Sequence, residues 1–471
     1  MTFNRRAFIA STGATMAAAS GFFGHSALAA EGDDKETAKN DEPTIGYIGT
    51  GIRFHTALGG NGTKFGPCAK IADVDSVQAG RALQKVMDFH RDKGRPINTT
   101  VHEDYRHVLD DKNIDAVIIA SPDHWHTKQV VEALAAGKDV YCEKPLTLTI
   151  EEGNQIEAAI KKSKGIVQVG TQQRTEFDSR FVKAAAMARD NRVGELKKVT
   201  VCIGGSREAV TLPKADPPKS LNWEKWLGQC PVVDYRSAPD IADTEGWGAG
   251  HPFSRAHRYY RWFYEYSGGK LTDWGAHHVD IAMLAMNKLG DDVGNITIEP
   301  ISVEHPVPFK DGMPTQDDKF NAAIKFNVRV AFADGIEMFV RDNAQELGFD
   351  NGIMFEGSDG RFLVNRGKLV GKPVEALKEK PLPGDAFEIV HGVPKPASHM
   401  ANFIESVKTR KQPISDVPSH NAMLNVCHAI NIAMRLNRTL TYDPKARNFV
   451  DDKQANSFVS RKQRKGYEIV V

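Results

Sequence analysis

The sequence predicts an α/β chain in two domains: a doubly wound parallel sheet, then an α+β domain built on a large, mostly antiparallel sheet. Three observations predict this. Between residues 43 and 170, short apolar runs alternate with helical patterns, as strands buried on both faces by crossover helices do. Beyond about Gly170 the strand-like segments lengthen and meet at turn signals such as Asp334-Gly335, which favours antiparallel pairing. At 471 residues the chain is also too long for one ordinary core.

Taken in order, residues 1–30 read as a targeting segment. Arg5-Arg6 precedes a moderately apolar stretch at 14–23, and Ala27-Leu28-Ala29 offers a small-residue cleavage site. Export on the twin-arginine route to the periplasm is the expectation. Gly13, Gly21 and Gly24 break the stretch, so no membrane anchor is expected. Residues 31–42 are charged and aperiodic, a flexible linker. The first domain, 43–170, should hold strands at 44–48, 69–72, 115–120, 139–142 and 166–169, with helices at 77–90, 126–136 and 150–162; Gly137 stops the second helix. The second domain, 171–471, should hold strands at 196–203, 295–303, 321–333 and 336–341 and late helices at 399–408 and 420–436.

Composition excludes some partners. Lysine and arginine total 61 against 60 acidic residues, so no strong field favours nucleic acid or an anionic membrane. The five cysteines are scattered, with no C-x-x-C pair, which argues against a disulfide framework and for core thiols.

The chemistry gathers at strand ends. Gly49-Thr50-Gly51 follows the first strand and should open a helix, where a dinucleotide pyrophosphate needs a tight turn and close backbone approach. Phe54 stands at the third-glycine position of that fingerprint. Asp73, 22 residues after Gly51, ends the second strand, where a carboxylate binds the adenosine ribose and repels a 2′-phosphate. NAD is therefore favoured over NADP, with Asp75 as a rival reader of that position. Ser121 to His126 follow the third core strand on the ligand edge, beside the expected nicotinamide ribose; His124 and His126 read equally as satisfied imidazoles opening a helix. Glu143-Lys144-Pro145 ends the next strand, and a lysine near a cationic nicotinamide suits proton exchange with a substrate hydroxyl.

In the second domain Asp273, His277 and Asp280 fall on one stripe of a helix that is otherwise apolar nearly all round, so the stripe needs partners or a ligand. No H-E-x-x-H pattern points to a metal. The run from His257 to Tyr264 is aromatic and basic, a candidate substrate wall or a packing surface.

The runs Ser121-Pro122-Asp123-His124-Trp125-His126, Ala135 to Pro145, Gly170 to Arg174, Gly268 to His277 and Leu440-Thr441-Tyr442-Asp443-Pro444 together resemble the glucose-fructose oxidoreductase, inositol dehydrogenase and rhizopine catabolism (Gfo/Idh/MocA) family. Phe54 departs from it, as does Lys270, where many members carry a glycine. The resemblance implies a Rossmann domain holding NAD and a catalytic group of Lys144, Asp273 and His277. It implies cofactor contacts from Gly49, Thr50, Gly51, Asp73, Ser121, His124, His126, Glu143 and Lys144, and substrate contacts from Gln172, Arg174, Tyr264 and His278. It also implies a homodimer or homotetramer. The expected reaction moves hydride between a secondary hydroxyl carbon of a sugar or glycoside and a tightly bound cofactor, since free NAD is scarce outside the cytoplasm. The rivals are a redox-mechanism, NAD-dependent glycosidase and a non-catalytic sugar or cofactor sensor.

Overall fold

Short runs rich in Val, Ile and Tyr, apolar on both faces, satisfy their backbone only by pairing side by side under helices. A computed structural model describes residues 42–95, 98–243 and 252–471. The expected targeting segment, 1–30, and all but residue 42 of the linker lie outside the described residues. The first sheet comprises β1 (Ile45–Ile48), β2 (Cys68–Ala72), β3 (Thr100–His102), β4 (Ala116–Ile119), β5 (Asp139–Cys142) and β6 (Val167–Val169), ordered β3-β2-β1-β4-β5-β6 and parallel throughout. The order reverses at β1 and β4, and that switch point opens a crevice at the carboxyl ends of the strands. β3 is missing from the sequence reading because it is a three-residue edge strand with little burial. The helix Asp123–Ala135 starts three residues before the expected position, and Gly137 follows its end at a φ of 76°.

The second sheet uses β7 (Leu196–Cys202). Then come β8 (Ser237–Ala242) and β9 (Pro252–Ser254), a separate pair, and β10 (Ile296–Glu304). β11 (Phe309–Lys310) and β12 (Met313–Pro314) form another pair; β13 (Lys325–Ala331), β14 (Glu337–Arg341), β15 (Gly352–Gly357), β16 (Gly360–Val364), β17 (Leu369–Val370), β18 (Leu440–Asp443) and β19 (Asn448–Phe449) complete the set. The nine-stranded order is β17-β16-β15-β7-β14-β13-β10-β18-β19. Only the β7 and β14 pairing is parallel in it. The helices Gly269–Ala285 and Val417–Leu436 pack against each other and carry the buried centre. One apolar cluster runs from Val117 and Val130 of the first domain to Val279, Val328 and Val426 of the second, so the strand ends of the first sheet are fixed against the helix Gly269–Ala285. All five cysteines are free and buried.

Candidate active site

The turn after β1 is built for close approach. Gly49 adopts a φ of +77°, and a Cβ there would stand 2.4 Å from the backbone nitrogen of Ser121, so only glycine lets the ends of β1 and β4 meet. Gly51 lines the adjoining cleft, and a Cβ on it would meet nothing within 4 Å. The backbone is thus bare to a ligand where a pyrophosphate would lie, and the residues present fit a dinucleotide. Phe54 is fully buried, packs edge-on against Tyr47 at 4.9 Å, and has Gly59 beneath its ring, where a Cβ would come within 2.8 Å. Close packing of helix on sheet falls to Gly62, where a Cβ would come within 2.5 Å of Ile118 in β4 and also meet Tyr47 of β1.

Asp73 faces the cleft, but its carboxylate is largely engaged by its own chain. Thr50 donates to Oδ2 from its backbone nitrogen at 2.6 Å and its hydroxyl at 3.0 Å, and the Asp75 nitrogen donates to Oδ1 at 2.9 Å. Burial pushes the carboxyl upward against these bonds. Thr50 is fully buried, with amide and hydroxyl both turned to Asp73, so it is a support of the turn rather than a contact to the cofactor.

The cleft has a volume of about 880 Å³ and is roofed at its far end by the second domain. Ser76 donates its backbone N–H to Ser220 O at 2.9 Å, and Asn222 donates to Val74 O at 2.9 Å. The His257 imidazole meets Asp75 Oδ2 at 2.9 Å, and Lys225 pairs with Glu103 at 2.7 Å. Tyr259, Tyr260 and Arg261 from the aromatic and basic run line the cleft, while Trp262 and Phe263 turn into the core.

At the inner end Lys144, which follows β5, reaches the helix Gly269–Ala285. Its Nζ donates to Asp273 Oδ1 at 2.6 Å and to Asp273 O at 2.8 Å. Burial would raise the Asp273 carboxyl, yet Lys144 and Arg261 outweigh it and hold the group far below the usual range, so it is an anion. His277 lies one turn on. Burial first, then Lys144 and Arg366, depress its imidazole well below the usual range, so it is neutral, and its buried Nδ1 has no partner among the described residues. Glu143 accepts from Arg53 and from Gln172, each at 2.9 Å, and so fixes Arg53 at the cleft mouth. The Ser121 hydroxyl donates to Gln129 at 2.6 Å beside the same cleft.

Several expected contacts are turned elsewhere. His124 is fully buried and bonds Trp226 O at 2.9 Å; His126 spends both nitrogens on Pro145 O and Ser121 O. Both histidines stand in the opening turn of the helix Asp123–Ala135, and His124 Nδ1 is buried with no partner among the described residues. Arg174 is saturated within the core. It forks onto Asp280 at 2.6 and 2.8 Å and gives its remaining nitrogen to Ile414 O and Ser419 Oγ. His278 is fully buried between Gln173 and Asn351, and the Tyr264 hydroxyl accepts from the Ala323 nitrogen at 3.3 Å, away from the cleft lining. Arg261 is in electrostatic reach of Asp273, and Arg366 of Asp273 and His277. The first stood unassigned within the basic run, and the second, in the loop between β16 and β17, gave no sequence signal.

Comparison with known proteins agrees with this geometry. Residues 44–171 match the oxidoreductase family, NAD-binding Rossmann fold, and residues 206–469 match the oxidoreductase family, C-terminal alpha/beta domain. The chain belongs to the Gfo/Idh/MocA family of oxidoreductases, with an NAD-binding first domain. It is similar to inositol 2-dehydrogenase 2 of Saccharopolyspora erythraea, 30% identical over 32% of this chain and 42% of that protein. The match thus spans about two fifths of that relative's length. Among solved structures, the WlbA dehydrogenase of Bordetella pertussis, in complex with NADH and UDP-GlcNAcA, shares the fold with a TM-score of 0.55 at 16% identity, over 86% of this chain and 98% of that one. An aldose-aldose oxidoreductase of Caulobacter crescentus does so with a TM-score of 0.51 at 16% identity, over 84% and 99%.

Proposed function

We propose that this protein oxidises a secondary hydroxyl of a sugar or glycoside with an NAD that it retains through turnover, and that it works in the periplasm after twin-arginine export. The observation that carries the reading is the contact of Lys144 with Asp273 at 2.6 Å beside a neutral His277. When bound, NAD supplies the hydride acceptor at its nicotinamide ring.

The chain supplies the rest. Gly49 and Gly51 leave backbone bare along the cleft, and Asp73 with Asp75 puts negative charge at the adenosine end, which supports NAD over NADP. Lys144 has three N–H donors and gives two to Asp273, so one is left for the substrate oxygen. The hydroxyl proton passes to the neutral imidazole of His277, while the Lys144 cation holds the oxygen as it gains charge. Asp273 fixes the Lys144 head group and keeps it charged. Retention is supported by the roof from the second domain and by the compartment that Arg5-Arg6 implies, where a closed cycle with a second sugar would regenerate the oxidised cofactor. The sugar-acting relatives are the ground for the substrate class. A homodimer or homotetramer, read by light scattering after gel filtration, completes the reading.

The test is direct. Protein purified and dialysed, then acid-quenched and analysed by mass spectrometry, should release close to one nicotinamide dinucleotide per chain, implying a dissociation constant well below the micromolar level. Mixing that protein with a panel of glycosides should then raise absorbance at the reduced-nicotinamide band. Empty protein that turns over only with millimolar NAD would overturn retention, and no reduction with any sugar would overturn the oxidation itself.

A further inference from the structure

The surroundings of Lys144 hold more positive charge than their carboxylates balance. Lys144 pairs with Asp273, Arg53 with Glu143, and Arg207 with Asp243. Arg261 lies in the field of Asp273 and Asp123. Lys270 and Arg366 share the field of that one Asp273 carboxylate, which Lys144 already occupies. Among the described residues neither has a carboxylate within ion-pairing distance. Both head groups lie against the Trp274 ring: the Lys270 ammonium 5.3 Å and the Arg366 guanidinium 4.7 Å from its centre, with Arg366 also 4.7 Å from the centre of the Phe177 ring. Arg366 also meets the neutral side-chain amide of Gln173 at 3.2 Å from its Nε.

The helix sets this direction. Lys270, Asp273 and Trp274 are its half-buried positions within the stretch from Leu271 to Ala285 and its first turn, where nearly every other residue is buried. Spacings of three and four residues put them on one face. That face is the one that meets Lys144, so the two cations stand beside the group that handles the substrate hydroxyl. Burial and the nearby cations Arg261 and Lys144 press the Lys270 ammonium below the usual lysine range, and burial lowers Arg366 as well. A desolvated cation with no carboxylate in contact costs free energy unless an anion joins it.

Accepting the sugar-oxidising reading, we propose that the substrate carries an anionic substituent, a carboxylate or a sulfate or phosphate ester, which Lys270 and Arg366 bind next to Trp274. Discrimination then comes from two cations left unpaired when a neutral sugar fills the same space.

The experiment uses the full cofactor-loaded protein with D-glucuronate, D-glucose 6-sulfate, D-glucose 6-phosphate and D-glucose, scoring kcat/KM by nicotinamide reduction and binding by quenching of NADH fluorescence. At least one acidic sugar should exceed glucose by tenfold or more, and which one does so separates carboxylate from ester. Lys270→Gly and Arg366→Gln should each bring that ratio down by about tenfold, mainly through KM, while Lys270→Arg should keep most of it. NADH affinity serves as the check that each variant is folded. Glucose handled as well as every acidic sugar, or a ratio that survives both substitutions, would overturn the proposal while leaving sugar oxidation standing. Variants that lose NADH affinity and keep their sugar preference would assign the two cations to the cofactor phosphates and overturn it too. No nicotinamide reduction with any sugar would defeat the underlying reading as well.

Discussion

Asp273 and Asp280 sit seven residues apart on one stripe of the helix Gly269–Ala285, and each meets a cation from just past a Rossmann strand. Lys144 follows β5 and Arg174 follows β6. The Arg174 and Asp280 side chains are 2% and 0% exposed, and their contact is a fork backed by two further bonds from Arg174 to Ile414 O and Ser419 Oγ. The Lys144 and Asp273 side chains are 14% and 15% exposed, and one lysine N–H is unspent. Spacing alone does not separate a buried structural pair from one proposed for catalysis; access does.

Breaking the two pairs should give opposite signatures. Lys144→Ala should lower kcat by about 10²- to 10⁴-fold, the usual worth of a positioned acid-base group, with a melting temperature close to that of the parent. Steady-state rates on a sugar substrate, set beside a thermal scan, read both. Asp280→Ala leaves a buried, uncompensated guanidinium and should remove about 3 to 5 kcal/mol of stability, measured by denaturant unfolding. The protein that stays folded should keep kcat within a few-fold. A rate collapse in Asp280→Ala without loss of stability would show that the inner pair also serves the chemistry.

Acid sharpens the contrast between buried and accessible groups. Burial lowers the imidazoles of His124, His277, His278, His399, His420 and His428. Their folded pKa values lie below the unfolded value of about 6.5, so the unfolded chain binds protons first as pH falls. The stability they contribute is therefore full above about pH 7 and is lost below it. Burial raises Asp73, Asp123, Glu152 and Asp280, which act in the opposite sense over the same interval. The buried imidazoles predict a fall in melting temperature from pH 7 to pH 5; a rise would mean that the carboxylates dominate.

The smallest effect concerns the cofactor end. Asp73→Ala should weaken NADH about tenfold, because it loses a charge-assisted ribose contact and also frees the Thr50 turn. Isothermal titration should show the loss, and Asp73→Asn should recover part of it.

The sequence made the strand-and-helix alternation legible because buried parallel strands are apolar on both faces, and it marked Lys144, Asp273 and His277 by residue type at strand ends and on an apolar helix. Edge strand β3 escaped because it buries little, and the hairpin of β15 and β16 because its turn at Ser358-Asp359 lies between glycines. Arg174, His124, His126 and His278 looked like ligands for the reason that makes them structural: a polar residue among apolar ones is conspicuous whether its partner is substrate or backbone. Only distances to Asp280, Trp226 O and Pro145 O tell the two apart.

The bonds from Ser76 to Ser220 and from Asn222 to Val74 make the roof over the cleft a short β-ladder between the domains. Ladder amides take up deuterium only when the ladder opens. A dinucleotide held in this cleft would lie against that contact, so its binding should slow the deuteration of the Ser76 and Asn222 amides.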